Sequence, residues 1–422
     1  MTPEVRNRIE QLRHGNVPDG YKKTKAGILP DDWTVCTIGE CLERVERPVD
    51  VQADEMYTQI GIRSHGKGLF YKDPVTGESL GNKAVYWIEP DCFVLNIVFA
   101  WEQAIGKTTQ AEVGMIGSHR FPMYRPVNGK IDIDYLISYL MTKRGKDILE
   151  AASPGGAGRN RTLGQDRFMK SKIVLPALDE QKKIAEILTT QDRIIELKGK
   201  RLAEKQRQKK YLMQQLLTGK KRLPGFGGEW KNVGLNEVLL ERKEKNVDQD
   251  HRICSVAVQK GVVDQIEHLG RSYAATDTSN YGIAHYGDII YTKSPTGDFP
   301  YGIIKQNQMH EDAAVSPLYG IYEPACFELG YILHTYFSYA VNCSNYLLPI
   351  IQKGAKNTIN TSNDVFVSRP LYLPTDCEEQ RALAEIFITA DKEIALLCQD
   401  IEQEKQKKKA LMQLLLTGIV RV

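Results

Sequence analysis

No two of the eight cysteines are spaced Cys-x-x-Cys, and no apolar stretch approaches the roughly 18 residues a membrane span needs. The opening MTPEVRNRIEQLRHG has no apolar core of the kind a secretory signal carries. In a chain of 422 residues without such a signal, the scattered cysteines read as reduced core thiols of a cytoplasmic protein. Charge of one sign is not in excess either. The 56 basic residues against 53 acidic ones leave +3, which is compatible with nucleic acid without arguing for it. The 42% hydrophobic and 26% charged shares are those of a soluble globular protein with core enough for two to three domains.

Catalytic signatures are missing as well. There is no His-Glu-x-x-His, no Gly-x-Ser-x-Gly elbow, no proline–acid pair followed by an acid-x-Lys nuclease signature, no glycine-rich methyl-donor loop and no Asn-Pro-Pro-aromatic clamp. His310-Glu311-Asp312 is an isolated cluster that reads as solvated. Two stretches imitate a phosphate loop. Gly61-Ile-Arg-Ser-His-Gly66-Lys67 has the glycine spacing but continues with Gly68, where a magnesium-holding Ser or Thr belongs. Gly106-Lys107-Thr108 has the ending, but Trp101 stands at the first glycine position. Both read as hairpin turns, and the whole pattern points to a binder.

What is present is a repeat. Residues 180–219 return at 379–418 with a constant offset of 199: Glu180-Gln181 as Glu379-Gln380, Asp192 as Asp391, Leu212-Met213-Gln214 as Leu411-Met412-Gln413, and Leu216-Leu217-Thr218-Gly219 as Leu415-Leu416-Thr417-Gly418. Apolar residues at steps of three and four predict two long helices, roughly Ala177–Thr218 and Thr375–Thr417, each following a proline and stopping at Thr-Gly. About 40 residues make a rod of about 60 Å, too long for a helix packed within one domain. The two rods are expected to pair antiparallel, with Gly199 marking a bend. Ten bases between Lys198 and Arg222 against the single acid Glu204 form a stripe that suits a phosphate backbone, a solvated face or an acidic partner equally.

The segments around the repeat have diverged. In the first, Tyr57–Ile62, Ala84–Ile88 and Cys92–Phe99 read as β-rich and Ile131–Lys146 as a helix. In the second, Ile253–Val258, Asp288–Thr292 and Tyr301–Lys305 read as strands and Tyr331–Ala340 as a helix. Correspondences such as Trp33 with Trp230 imply one fold with two different surfaces. Leu223-Pro-Gly-Phe-Gly-Gly228 reads as a hinge. Glycine-rich basic loops stand at matching places, Gly155-Gly-Ala-Gly-Arg159-Asn160-Arg161 and Lys353-Gly-Ala-Lys356-Asn357, where Arg and Asn can grip phosphate or read base edges.

This layout resembles the specificity subunit of type I restriction-modification systems over essentially the whole chain. The resemblance is carried by Gly20-Tyr-Lys-Lys-Thr-Lys-Ala-Gly-Ile-Leu-Pro-Asp-Asp-Trp33, by Gly225-Phe-Gly-Gly-Glu-Trp230, and by the Leu-Pro…Glu-Gln entry and Leu-Leu-Thr-Gly exit of each rod. It implies an α+β fold with two similar mixed α/β target-recognition domains joined by two long helices in an antiparallel coiled coil, pseudo-twofold. The expected divisions are an N-terminal arm (1–20), a first recognition domain (21–172), a first long helix and hinge start (173–222), a second recognition domain (223–370) and a second long helix (371–422). The arm has no counterpart in the second half and is expected to be a helix near the C-terminal rod.

The resemblance further implies a non-catalytic subunit that reads a bipartite site in double-stranded DNA. It would have two methyltransferase subunits and the restriction (translocase) subunits as partners, and no membrane. No cofactor is expected in this chain; S-adenosylmethionine, ATP and magnesium belong to those partners. The expected DNA contacts are Arg63, Ser64, His65, Lys67, Arg159, Asn160 and Arg161 in the first domain, and Lys293, Ser294, Thr296, Lys353, Lys356 and Asn357 in the second. Two rivals stand beside this reading: a coiled-coil scaffold without DNA affinity, and a nucleotide-using enzyme acting through Gly61–Lys67.

Overall fold

Two helices of 39 residues dominate the chain, a first rod Leu178–Leu216 and a second rod Cys377–Leu415. They appear in a computed structural model that describes residues 2–25, 27–127, 129–155, 161–271, 276–353 and 359–422. The chain divides into two units, Met1–Lys198 with Asp400–Val422, and Gly199–Gln399, so each rod contributes to both. The first rod is helical through Gly199. Acids open each rod, Asp179 and Glu180 in one and Glu378 and Glu379 in the other, where the positive end of the helix dipole favours them. Gly219 and Gly418 follow the last turns with φ of +69° and +72°. A side chain at Gly418 would meet Pro30 Cγ at 2.5 Å, so glycine is also required by packing.

The first unit holds a four-stranded sheet in the order Ile105–Lys107, Phe93–Leu95, Met123–Pro126, Leu42–Val45, all antiparallel. The second unit holds its counterpart, Ile304–Gln306, Ile289–Tyr291, Gly320–Pro324, Leu239–Glu241, also antiparallel. Strand for strand the connectivity is the same. Each unit also pairs the strand that begins at or just after its tryptophan with the strand that enters a rod: Thr34–Thr37 with Lys172–Leu175, and Trp230–Gly234 with Pro370–Pro374. The sequence expectation of two similar mixed α/β domains with antiparallel rods therefore holds.

Repeat residues complete each core. Ile184, Leu188, Leu415 and Leu416 are buried in the first unit's core with Phe93, Tyr124 and Phe168. Their equivalents Leu383, Phe387, Leu216 and Leu217 are buried in the second with Trp230 and Tyr331. Each such side chain, fully buried, is worth about 1.5–3 kcal/mol. Rod entry and rod exit meet within each unit, which is the antiparallel pairing seen locally. Polar contacts fix it: Asp192 pairs with Lys408 at 2.5 Å in the first unit and Lys209 with Asp391 at 2.5 Å in the second.

Some local expectations need correction. The helix expected over Ile131–Lys146 is two helices, Ile133–Leu140 and Lys143–Ala152, because Thr142 caps the second by accepting from Gly145 N at 3.1 Å. The Tyr331–Ala340 helix begins earlier and stops earlier, at Phe327–Phe337. All eight cysteines are free thiols, but Cys377 and Cys398 are exposed on the second rod, not core. The arm forms a helix, Pro3–Arg13, and Arg8 donates to Ile419 O at 2.6 Å just past the second rod.

Candidate nucleic-acid interface

In the first unit, Ile60–Ile62 and Leu69–Tyr71 form a hairpin, and residues 63–68 are its turn. Arg63 N donates to Gly68 O at 3.0 Å, and His65, Gly66 and Gly68 all take positive φ. The segment continues into a strand where a phosphate loop would open a helix, so the phosphate-loop reading lacks its anion-binding element. The stretch 106–108 is closed as well. Lys107 is paired with Asp134 at 2.8 Å, and buried Thr108 donates to Glu89 O at 2.6 Å.

The turn is docked on a short 3-10 helix, Ala100–Glu102. His65 N donates to Glu102 O at 2.8 Å, Gly66 N to Gln103 O at 2.9 Å, and the Ser64 hydroxyl to Glu102 Oε2 at 2.8 Å. A side chain at Gly66 would meet Met141 Sδ at 2.5 Å, which keeps this approach close. Ser64 therefore positions the turn, while Arg63, His65 and Lys67 stay exposed. Arg63 lies 5.3 Å from the Phe70 ring centre and donates to Leu69 O at 3.3 Å. Arg161 lies 5.5 Å from the ring centre of Trp101, whose Nε1 is anchored on Val98 O at 3.1 Å. The turn 63–68 and Arg161, far apart in sequence, thus contact neighbouring residues of one short helix, Glu102 and Trp101. Arg159 and Asn160 lie outside the described residues. Trp101 and Glu102, which hold the two groups, were missed as site residues. Only tertiary contact reveals them.

In the second unit Lys293 has φ of +52°, and its ammonium donates to Asn363 Oδ1 at 2.5 Å. Burial pushes the Lys293 pKa down from its usual value. Asn363 Nδ2 in turn donates to Glu241 Oε1 at 2.5 Å. Lys293 is therefore a half-buried tie, whereas Ser294 and Thr296 are exposed. Thr296 and Phe299 exchange backbone hydrogen bonds at 3.0 and 2.9 Å, which shapes the loop. Gln352–Lys353 pairs with Ile359–Asn360 as a hairpin, three residues before Asn363. The backbone of Lys353 is placed, and Lys356 and Asn357 lie outside the described residues.

Several bases of the first rod's stripe are ion-paired with the second rod. Lys198 pairs with Asp400 and Glu404, both at 2.8 Å, in the first unit. Lys205 pairs with Glu393 at 2.6 Å, Lys209 with Asp391 and Arg222 with Glu379 in the second. The acidic partner of these bases is the other rod. No group of three or more His, Cys, Asp or Glu among the described residues is placed to hold a metal ion, and no described helix is long and apolar enough to cross a membrane.

Two α/β units of one connectivity, each completed by the ends of two antiparallel rods, define the architecture of this chain. Residues 30–206 match the family model of the type I restriction modification DNA specificity domain. The chain is 24% and 23% identical to two proteins of Methanocaldococcus jannaschii named as type I restriction enzyme specificity subunits, MjaX (a provisional name) and MjaVIII. These matches cover 96% of this chain, and 97% and 96% of the relatives. A crystal structure of the type I restriction-modification system S subunit from M. genitalium shares the fold, with a TM-score of 0.57 at 11% identity over 91% of this chain and 96% of that one.

Proposed function

We propose that this chain is the non-catalytic, cytoplasmic subunit that reads a bipartite double-stranded DNA site, one half with each unit. In this reading it carries two methyltransferase subunits and the restriction subunits; S-adenosylmethionine, ATP and magnesium are theirs. The observation that supports it best is the pairing of one shared strand order with two unlike loop surfaces: the turn 63–68 with Arg161, and Ser294–Thr296 with the strand pair Gln352–Lys353 and Ile359–Asn360. A frame held constant under different loops suits two different half-sites. The test is to map methylated adenines in DNA from cells carrying this chain with its partner subunits. Arg161→Ala is expected to relax one position of one half-site, since a good arginine–guanine pair is worth about 1–3 kcal/mol of discrimination. Equal weakening on all sequences would make Arg161 a phosphate contact instead. Retention of the purified chain on DNA at low salt, lost steeply as salt rises, would exclude a scaffold without DNA affinity.

The rods, on this reading, set the gap between half-sites. A rod of 39 residues is about 58 Å long, more than the 34–36 Å turn of a duplex. Four residues inserted within Lys205–Lys210 add about 6 Å while nearly keeping the apolar stripe in phase. The half-sites should stay the same while the gap between them widens. An unchanged gap with full methylation would remove the ruler from the proposal.

A further inference from the structure

We propose that the pairing faces of the two rods have diverged so that each accepts the other and rejects a second copy of itself. The partner that fits the first rod is an antiparallel helix bearing acids at the places of Asp400, Glu404 and Glu393. The inference comes from laying the ion pairs onto the repeat. Asp192–Lys408 and Lys209–Asp391 are the same contact under the offset of 199, made once in each unit. A pair of like rods would keep both. These two contacts set direction and register without choosing a partner.

The remaining inter-rod contacts do choose. Lys198 binds Asp400 and Glu404, and the Gln191 amide donates to Glu404 Oε2 at 2.5 Å. The ammonium of Lys198 and the Gln191 amide hold the Glu404 carboxyl down to about 2. The repeat equivalents of Asp400 and Glu404 are Arg201 and Lys205. Two first rods in this register would set Lys198 against an arginine and a lysine, twice over. In the second unit Lys205 binds Glu393, whose equivalent is Ile194. Two first rods would therefore lose that contact as well. Two second rods would set Leu397 against Asp400 and Glu404, and Glu404 against Glu393. Opposite charges flanking a coiled-coil seam set partner choice, and like charges there act against the wrong partner. The repeat shows where symmetry is retained and where it has been broken by charge. The broken positions are the ones that distinguish unlike from like.

Two variants of the full chain test this. Asp400→Arg with Glu404→Lys gives the second rod the residues of the first at those places; Asp400→Ser with Glu404→Gln removes attraction without adding repulsion. The like-charge variant should melt below the neutral one by at least about 4 °C, and adding Lys198→Glu should restore much of the loss. Melting together with the neutral variant would overturn the proposal. An independent arm uses the intact protein cut at a protease site placed within Leu223–Gly228. Cut protein with and without an isotopic label is mixed, unfolded and refolded, and its pairs are weighed by native mass spectrometry. Like-half pairs should fall well below their statistical share. A statistical share of like pairs would equally overturn it.

Discussion

Glu180→Ala is expected to destabilise the first unit by about 2–4 kcal/mol. Glu180 is 6% exposed and accepts three hydrogen bonds: Arg421 Nε at 2.6 Å, Arg421 Nη2 at 2.8 Å and Trp33 Nε1 at 3.2 Å. Alanine leaves the indole donor of Trp33, itself 1% exposed, with no acceptor. An orphaned buried donor alone costs about 1–3 kcal/mol. Arg421 loses one of its two acids and keeps Asp32, at 2.6 Å. Glu180→Gln should cost less, because an amide oxygen can still accept from Trp33. Urea unfolding followed by tryptophan fluorescence reads the loss; a change within about 0.5 kcal/mol, the range of ordinary surface substitutions, would contradict it.

The second unit repeats this clasp and sets a ranking. Glu379, 1% exposed, accepts from Arg222 Nε at 2.7 Å, Arg222 Nη2 at 2.6 Å and Trp230 Nε1 at 3.1 Å. Arg222 pairs with no second acid among the described residues, whereas Arg421 has Asp32. Glu379→Ala should therefore be the more damaging of the two. In each unit the tryptophan enters the domain, the glutamate opens one rod and the arginine follows the other. One carboxylate thus joins three segments whose meeting defines the unit.

That clasp explains what could be read from the chain alone. Glu180 and Glu379 were visible as repeat members, and Trp33 and Trp230 as a faint correspondence; their union needed the fold. The rods were legible because a stripe with a 3.6-residue period over 39 residues is a strong local signal. The break at Thr142 was not, since a threonine cap competes with an apolar pattern that runs on through Met141. The loop candidates were only partly legible. Composition marked Ser64 and Lys293 as polar and exposed, yet one hydroxyl is held by Glu102 and one ammonium by Asn363, residues distant in sequence. The basic stripe left its partner open for a related reason, and of its three readings the acidic partner holds for several of its bases. Its charge was evident, but its partners lie some 180–200 residues further along.

Lys305→Met is expected to stabilise the second unit at pH 7 by about 2–3 kcal/mol, and the gain should vanish as pH rises. Lys305 lies in the core strand Ile304–Gln306, is 5% exposed and donates only to a neutral hydroxyl, Ser338 Oγ at 2.8 Å. Burial, aided by the nearby Lys209 ammonium, pushes its pKa from 10.5 down to about 8. That shift corresponds to about 3 kcal/mol between the charged and neutral forms. Below pH 8 the ammonium is charged in both folded and unfolded chains, and folding bears the full cost of burying it. Between pH 8 and 10.5 the folded chain loses its proton first, so unfolding takes a proton up and stability rises with pH. Methionine removes the charge at every pH, and Ser338 keeps a partner because its hydroxyl donates to His334 O at 2.7 Å. His334 is half-buried beside Lys305, its ring desolvated and its pKa pushed well below the usual value, and its Nδ1 accepts from Gln306 N at 3.1 Å, so it adds no charge of its own near neutrality. Urea unfolding of both proteins at pH 7 and pH 9.5 decides the matter. The gap between them should narrow by about 2 kcal/mol at the higher pH, and a constant gap would mean that packing, not the buried charge, separates the two.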